Sequence, residues 1–225
     1  MRIRWYGQSS FLLTGERSVF IDPFGVMEGL SARGLQFDYP AIEGVEADVL
    51  LVTHEHGDHN AVEVVGGSPF TLRSTAGTLE SPLGEVTAVA SEHDDVAGTK
   101  RGPNTIFVFT LDGLRIAHFG DFGQAELRPE QANAIGDVDV LILPVGSGPT
   151  VGGEPAAAIV RRLRPRLVIP MHYRTEAVNF LDQPDEFLDA LGAHVQQAES
   201  SEIEVEQHLG TADAPNVVLL ALPRV

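Results

Sequence analysis

The stretch Ala47-Asp48-Val49-Leu50-Leu51-Val52-Thr53-His54-Glu55-His56-Gly57-Asp58-His59 joins a short apolar run to a cluster of metal-ligating side chains. The apolar half is rich in β-branched residues and predicts a buried strand that ends where the polar cluster begins. Side chains two apart in an extended chain point to the same side, so His54 and His56 can bind one metal ion. The turn at Gly57 directs Asp58 and His59 toward a neighbouring ion. A polar surface turn is the alternative, but it has to account for three of the chain's eight histidines within six positions.

Three later segments carry further candidate ligands. They are Ser91-Glu92-His93-Asp94, His118-Phe119-Gly120-Asp121 and Pro170-Met171-His172-Tyr173. Together with the run 54–59, these segments resemble in type and order the signature of the metallo-β-lactamase superfamily, over nearly the whole chain. Asp22 in Ile21-Asp22-Pro23 is similar to that superfamily's early strand-end aspartate. Segments 102–105, 118–123 and 143–146 are most similar to its branch of metal-dependent hydrolases related to ascorbate-6-phosphate lactonase.

The resemblance implies a site for two divalent metal ions. His54, His56 and His93 would form a three-imidazole site with an open position for water. Asp58, His59 and His172 would form the second site, and Asp121 would bridge the two. Zinc is the expected metal, with manganese and iron as alternatives, because the chain offers nitrogen and oxygen ligands and has no cysteine. Asp22 would hold a ligand histidine, or else cap the turn before Pro23.

His118 lies three residues before Asp121, at the end of a predicted apolar strand. We expect it to be an outer hydrogen-bond partner of the ligands, because the other residues already satisfy both ions. A metal ligand, a proton shuttle and a packed core histidine are the alternatives. With Asp58 and Asp121 it completes the set of candidate catalytic residues. His194 and His208 fall outside every motif and are assigned to the surface.

Length and composition predict one domain over residues 1–225, because a chain with 43% hydrophobic residues can bury a large core. The resemblance implies an α/β (α+β) fold, a four-layer αββα sandwich of two mixed β-sheets flanked by helices. Strands are predicted at 3–6, 11–13, 19–21, 49–52, 86–90, 105–110, 114–118, 138–143, 167–169 and 217–222. Helices are predicted at 60–65, 129–135, 155–163 and 184–191.

Charge restricts the partners. A formal net charge of −17 opposes binding to nucleic acid, which begins with Lys and Arg neutralising phosphates. The sequence has neither an apolar run of membrane-spanning length nor a secretory signal pattern, so a cytoplasmic protein without a membrane partner is expected. A small-molecule substrate remains, with Lys100, Arg101 and Arg174 as candidates to hold a substrate anion. The loop from Pro23 to Tyr39 predicts a lid or, equally, a contact in a homo-oligomer.

The leading functional hypothesis is a binuclear metal-dependent hydrolase. Hydroxide generated from metal-bound water would cleave a small ester, lactone, amide or phosphodiester bond. A nuclease of the same superfamily and an iron-dependent oxidoreductase on the same scaffold are alternatives from other classes. The negative net charge opposes the nuclease. The histidine at position 56 opposes the oxidoreductase, because diiron relatives are expected to carry a glutamate at this position. A non-catalytic metal-binding module is the fourth hypothesis.

Overall fold

The computed structural model describes residues 1–224, in which sixteen strands and three α-helices form the regular structure. The strands are β1 (Arg2–Gly7), β2 (Ser10–Thr14), β3 (Ser18–Ile21), β4 (Val45–Glu46), β5 (Val49–Val52), β6 (Val65–Gly66), β7 (Phe70–Arg73), β8 (Gly77–Ser81), β9 (Gly84–Glu92), β10 (Pro103–Leu111), β11 (Leu114–His118), β12 (Val140–Pro144), β13 (Leu167–Met171), β14 (His194–Gln197), β15 (Glu202–Glu204) and β16 (Asn216–Leu219). The helices are α1 (Pro129–Ile135), α2 (Gly153–Leu163) and α3 (Asp185–Leu191).

Two large sheets carry most of these strands. The six-stranded sheet has the order β15-β1-β2-β3-β5-β7, and the eight-stranded sheet has the order β14-β16-β13-β12-β11-β10-β9-β8. Each sheet combines parallel and antiparallel neighbours: β3 and β5 are parallel and β1 and β2 antiparallel in the first, β12 and β13 are parallel and β9 and β10 antiparallel in the second. The predicted pair of mixed sheets is confirmed.

The core is built from the apolar faces of both sheets. In β1 the residues alternate, with Ile3 and Trp5 buried and Arg2 and Arg4 exposed, which is the pattern of a strand with one face on the core. Strands β5, β12 and β13 are buried at every position and supply the continuous apolar runs that parallel strands require. Burying each large apolar side chain contributes about 1.5–3 kcal/mol, so this shared core holds the sandwich together.

Two of the α-helices pack directly on the eight-stranded sheet. Helix α1 contacts β9, and α2 contacts both β12 and α3. The predicted helices at 129–135, 155–163 and 184–191 are all present. The predicted helix at 60–65 is wrong, because only a 3₁₀ turn forms at Val62–Val64. The three valines of the predicted helix, at positions 62, 64 and 65, would lose side-chain freedom in a helix. Six residues also form too few hydrogen bonds to offset the cost of helix nucleation. No helix in residues 1–224 combines the length and apolar character needed to cross a membrane.

Strand direction brings the candidate ligands to one edge. Strands β3 and β5 are parallel, and β11 and β13 both run parallel to β12 between them. Strand β9 has the same direction as β11, because both are antiparallel to β10. The carboxyl ends of all five strands therefore point the same way within their sheets. In open sheets of this kind ligands bind at the carboxyl ends of the strands.

Candidate metal centre

The residues that follow these strand ends form two clusters. The first contains His54, His56 and His93, and the second contains Asp58, His59, Asp121 and His172. Within each cluster the candidate ligand atoms lie within 4.8 Å of one another. His56 is exposed and Asp58 is half-buried, whereas the other five are buried. The site therefore opens to solvent beside His56 and Asp58.

One carboxylate oxygen lies between the two clusters. Asp121 Oδ2 is 3.1 Å from His93 Nε2, 3.2 Å from His172 Nε2 and 3.3 Å from His59 Nε2. His54 Nε2 is farther away, at 4.0 Å, and lies 3.1 Å from His56 Nδ1. Asp121 thus contacts imidazoles of both clusters, the position that a bridging carboxylate would occupy.

The hydrogen bonds on the far side of the rings show which inner nitrogens carry lone pairs. His93 Nδ1 lies 3.0 Å from the Pro149 carbonyl oxygen, which only accepts, so Nδ1 carries the hydrogen. His59 Nδ1 likewise donates to the Asp22 carboxylate at 3.0 Å. In the neutral rings both Nε2 atoms therefore present lone pairs to Asp121, itself an acceptor. Among residues 1–224, the buried His59 Nε2 has no hydrogen-bond partner.

Acceptors at 3.1–3.3 Å repel one another unless a cation lies between them. Protonation of several rings would crowd imidazolium charges into one buried space. A divalent ion satisfies all the lone pairs at once, and imidazole nitrogen with carboxylate oxygen is the donor set that zinc, manganese and iron accept. The residues present therefore fit the metal ions that the sequence predicts.

A proton competes with metal for the same position. Burial disfavours protonated His59, but the carboxylates of Asp121, Asp58 and Asp22 outweigh it and raise the pKa of His59 well above its usual value. Burial opposes the charged form of Asp121 too, but His172 and His59 hold its pKa well below the usual range. Burial, reinforced by His59, lowers the pKa of His54 to about 2. The metal-free centre thus favours ionised carboxylates, a neutral His54 and a protonated His59, and a metal ion has to displace the His59 proton.

Further polar groups fix the orientation of the rings. The Asp22 carboxylate accepts hydrogen bonds from the Thr53 main-chain N–H and from its hydroxyl, both at 2.7 Å, besides the bond from His59. Thr53 Oγ1 lies 3.1 Å from His54 Nδ1, and Thr150 Oγ1 lies 3.4 Å from His172 Nδ1. Such outer partners set ring orientation and ligand basicity. Asp22 therefore contacts a candidate ligand histidine, as the resemblance implied.

His118 lies behind Asp121. Its Nε2 donates to the Ser9 carbonyl at 3.0 Å, and its Nδ1 accepts from the Gly120 main-chain N–H at 3.2 Å. The Ser9 hydroxyl in turn donates to Asp121 Oδ1 at 3.1 Å. Both ring nitrogens of His118 are thus engaged with the main chain. This geometry favours the outer hydrogen-bond role and leaves no nitrogen free for a metal.

Asn104 holds the main chain on the other side of Asp121. Its Oδ1 accepts from the Asp121 main-chain N–H at 3.0 Å, and its Nδ2 donates to the Phe119 carbonyl at 2.9 Å. Gly120 adopts φ +54° in this turn, and a Cβ there would lie 2.4 Å from Asn104 Oδ1 and 2.6 Å from Thr53 Oγ1. Only glycine fits. A side chain at this position would displace the residue that the two clusters share.

Three non-glycine residues at the centre have left-handed backbone conformations. They are Gln8 (φ 49°), Asp22 (φ 50°) and His172 (φ 51°). Such conformations cost on the order of 1–2 kcal/mol each and persist where surrounding contacts determine them. The backbone strain at these three residues lies in tight turns that direct side chains from strand ends into the metal centre.

The remaining sequence candidates lie outside both clusters. His194 is exposed, and the half-buried His208 lies 2.8 Å from Gln196 Oε1. The loop 23–39 is anchored at both ends by buried Phe24 and Tyr39. Whether it closes over the site or contacts another copy stays a prediction. Arg174 Nη2 donates to the Asn179 carbonyl within its own loop.

Sequence reasoning missed the roles of several supporting residues: Ser9, Thr53, Asn104, Pro149 and Thr150. They bond to the candidate ligands or position the main chain beside them. The position of Thr53 directly before His54, and of Ser9 in the opening hairpin, is visible in the sequence. Their burial against ligands from distant segments is not.

Comparison with known proteins gives a consistent result. A β-lactamase superfamily domain model matches residues 2–172, which include all seven candidate ligands. A UPF0173 metal-dependent hydrolase of Thermococcus kodakarensis is 31% identical, covering 85% of this chain and 92% of that one. A second, from Pelotomaculum thermopropionicum, is 31% identical over 91% of this chain and 96% of its own.

A solved structure from Thermotoga maritima, assigned as a Zn-dependent hydrolase of the metallo-β-lactamase superfamily, superposes with a TM-score of 0.75. It is 27% identical, and the match covers 97% of this chain and 98% of that one. The order of the motifs, the fold and these relatives all indicate the same family. The chain therefore belongs to the metallo-β-lactamase superfamily and is a metal-dependent hydrolase.

Proposed function

We propose that the protein holds two divalent ions, zinc in the simplest case, and hydrolyses a small ester, lactone, amide or phosphodiester. The observation that carries this proposal is the convergence of imidazole lone pairs from both clusters on Asp121 Oδ2, at 3.1 Å from His93 Nε2 and 3.3 Å from His59 Nε2. In the proposal, His54, His56 and His93 hold one ion, Asp58, His59 and His172 hold the other, and Asp121 bridges them. The Zn-dependent assignment of the Thermotoga maritima protein supports zinc.

Bound ions of this kind lower the pKa of a coordinated water and polarise the carbonyl or phosphoryl oxygen of a substrate. The protein's own residues orient the reacting groups. Asp58 borders the open side of the site, with 22% of its side chain exposed. Burial opposes its charged form, but His59 outweighs this and keeps the pKa of Asp58 below its usual value. A weakly basic carboxylate is a poor proton acceptor, so we assign Asp58 to orienting the attacking water.

Access to the centre favours a small substrate. The cavity that contains His54 and His56 has a volume of about 160 Å³, room for a compact functional group. The net charge of −17 opposes an approaching nucleic acid. The branch related to ascorbate-6-phosphate lactonase is part of the proposal, and lactones therefore belong in the first substrate screen.

The test begins with elemental analysis of untagged protein, which needs no choice of substrate. We expect about two zinc or manganese ions per chain, and their removal by chelation should abolish hydrolysis in a panel of lactones, esters, amides and phosphodiesters. Activity should return when the metal is restored. Protein that binds no metal even after supplementation would refute the proposal, and iron would redirect it to oxygen chemistry.

A further inference from the structure

The loop between β9 and β10 is held in place by one buried carboxylate. Asp94 Oδ1 accepts hydrogen bonds from the main-chain N–H groups of Val96 at 2.9 Å and Gly98 at 2.7 Å. Its Oδ2 accepts from those of Lys100 at 2.9 Å and Arg101 at 2.8 Å. Four donors on one carboxylate fix the course of the loop. Lys100 and Arg101 thereby keep defined main-chain positions while their side chains are exposed.

Arg101 lies at the open side of the metal centre. It lines the cavity of about 160 Å³ that also contains His54 and His56. It lines a second cavity, of about 420 Å³, together with Lys100 and the loop 147–152. That loop contacts the centre as well, through the Pro149 carbonyl at His93. A group bound beside the exposed His56 therefore lies next to Arg101.

The acidic groups near Lys100 and Arg101 neutralise little of the positive charge of these two side chains. Glu55, which faces the smaller cavity, is paired with Arg73 at 2.5 Å and with the Ser74 hydroxyl at 3.0 Å. The Asp94 carboxylate is occupied by the four main-chain donors. The exposed Asp95 is the one carboxylate lining the larger cavity that has no such partner in residues 1–224.

Within the described chain, neither Lys100 nor Arg101 forms an ion pair. Lys100 is also the only lysine among 225 residues, in a chain with net charge −17. Two adjacent cations without carboxylate partners, on a fixed loop beside a metal-ligand cluster, are suited to hold an anion. A guanidinium binds carboxylate and phosphate oxygens through two parallel hydrogen bonds.

We propose that Arg101, supported by Lys100, binds an oxyanion group of the substrate while the bond to be cleaved lies at the His54, His56 and His93 cluster. This inference rests on the proposed function and narrows it to anionic small molecules. The smaller cavity is equivalent to roughly five water molecules at about 30 Å³ each, which accommodates one carboxylate or phosphate group.

The test compares two variants of the metal-loaded full chain that lose the same charge. Arg101→Gln removes the proposed contact, and Arg162→Gln removes an exposed cation on α2. Inorganic phosphate and acetate are titrated by calorimetry, so that the two oxyanion classes are separated. We expect Arg101→Gln to weaken binding of at least one anion by about tenfold, the loss expected for one charged hydrogen bond. Arg162→Gln should match wild type, and equal dissociation constants in both variants would overturn the inference.

The single lysine provides a second measurement. Acetylation of Lys100 is followed by mass spectrometry, with the amino-terminal amine as internal reference. The anion that Arg101 binds should slow acetylation of Lys100 several-fold and leave the Met1 amine unaffected. Unchanged acetylation at saturating anion would remove Lys100 from the site.

The outcomes separate this inference from the proposed function, because anion binding requires no turnover. If no substrate is hydrolysed and Arg101→Gln still weakens anion binding, the hydrolase proposal fails and the anion site stands. If neutral and anionic esters are cleaved equally well and Arg101→Gln changes neither this ratio nor anion binding, the anion site fails alone.

Discussion

At the residue scale, Asp121 is the position on which both ligand clusters depend. Asp121→Asn keeps the shape of the side chain and removes its charge, so the neutral amide can no longer compensate divalent ions among imidazoles. We expect loss of at least one ion per chain and of most hydrolytic activity. Elemental analysis of Asp121→Asn beside Asp137→Asn, an exposed aspartate, measures the effect. Equal metal content in the two variants would exclude Asp121 from the bridge.

Substitutions of His118 test its proposed role as an outer hydrogen-bond partner of the metal ligands. His118→Phe removes the donor to the Ser9 carbonyl and the acceptor for the Gly120 N–H, so Asp121 loses part of its support. We expect kcat to fall about 10- to 100-fold, as for other outer partners of metal ligands, with metal content retained. His118→Gln should recover part of kcat, because its amide can donate to Ser9. Metal loss in both variants would instead identify His118 as a ligand.

The ligands could be predicted at the residue scale because their signal is local. Three histidines and an aspartate in six positions follow directly after an apolar strand, and His93, Asp121 and His172 come in the expected order. Asn104 and Ser9 could not be assigned in this way. Both are ordinary polar residues in sequence, and each gains its role only because folding buries it against Asp121.

At the element scale, the loop 94–102 offers a prediction that needs no substrate. In Asp94→Ala the four main-chain N–H groups lose their shared acceptor, so the loop should open more often. Trypsin cleaves after Lys100 and Arg101, and we expect cleavage there to become at least several-fold faster than in wild type. Asp95→Ala is the matched control, since this neighbour is exposed. Equal cleavage rates in both variants would show that Asp94 does not hold the loop.

The strands that the sequence predicted are more buried than those it missed. All ten predicted strands are present, and two of them, Val49–Val52 and Leu114–His118, have the predicted bounds. The missed strands are β4, β6, β7, β8, β14 and β15. They are short or largely exposed, and β7, β8, β14 and β15 lie at sheet edges, where apolar alternation is weak. Pairing with a neighbour, rather than local sequence, defines such strands.

At the scale of the whole molecule, the buried histidines couple stability to pH. Burial lowers the pKa of His54 to about 2 and also lowers the pKa of His56 and of His118. In the unfolded chain these histidines titrate near about 6.5. Below that pH the unfolded state binds more protons, so acid destabilises the metal-free protein. His59 has a raised pKa and is protonated in both states in this range, so its stabilising contribution is lost only as the pH rises toward its folded pKa.

The predicted size of this effect follows from the two most deeply buried of these histidines, since partial exposure weakens the contribution of His56. Each contributes at most about 1.4 kcal/mol per pH unit. Between pH 6.5 and pH 5, metal-free protein should lose on the order of 2–4 kcal/mol, equivalent to a fall in Tm of about 5–10 °C. Protein loaded with metal should change at least as much, because bound ions keep His59 neutral as well, so that the folded state binds still fewer protons than the unfolded one. Thermal unfolding across this range, with and without chelator, measures both curves. A Tm of the metal-free protein that stays constant to pH 5 would mean that these histidines are not buried in their neutral form.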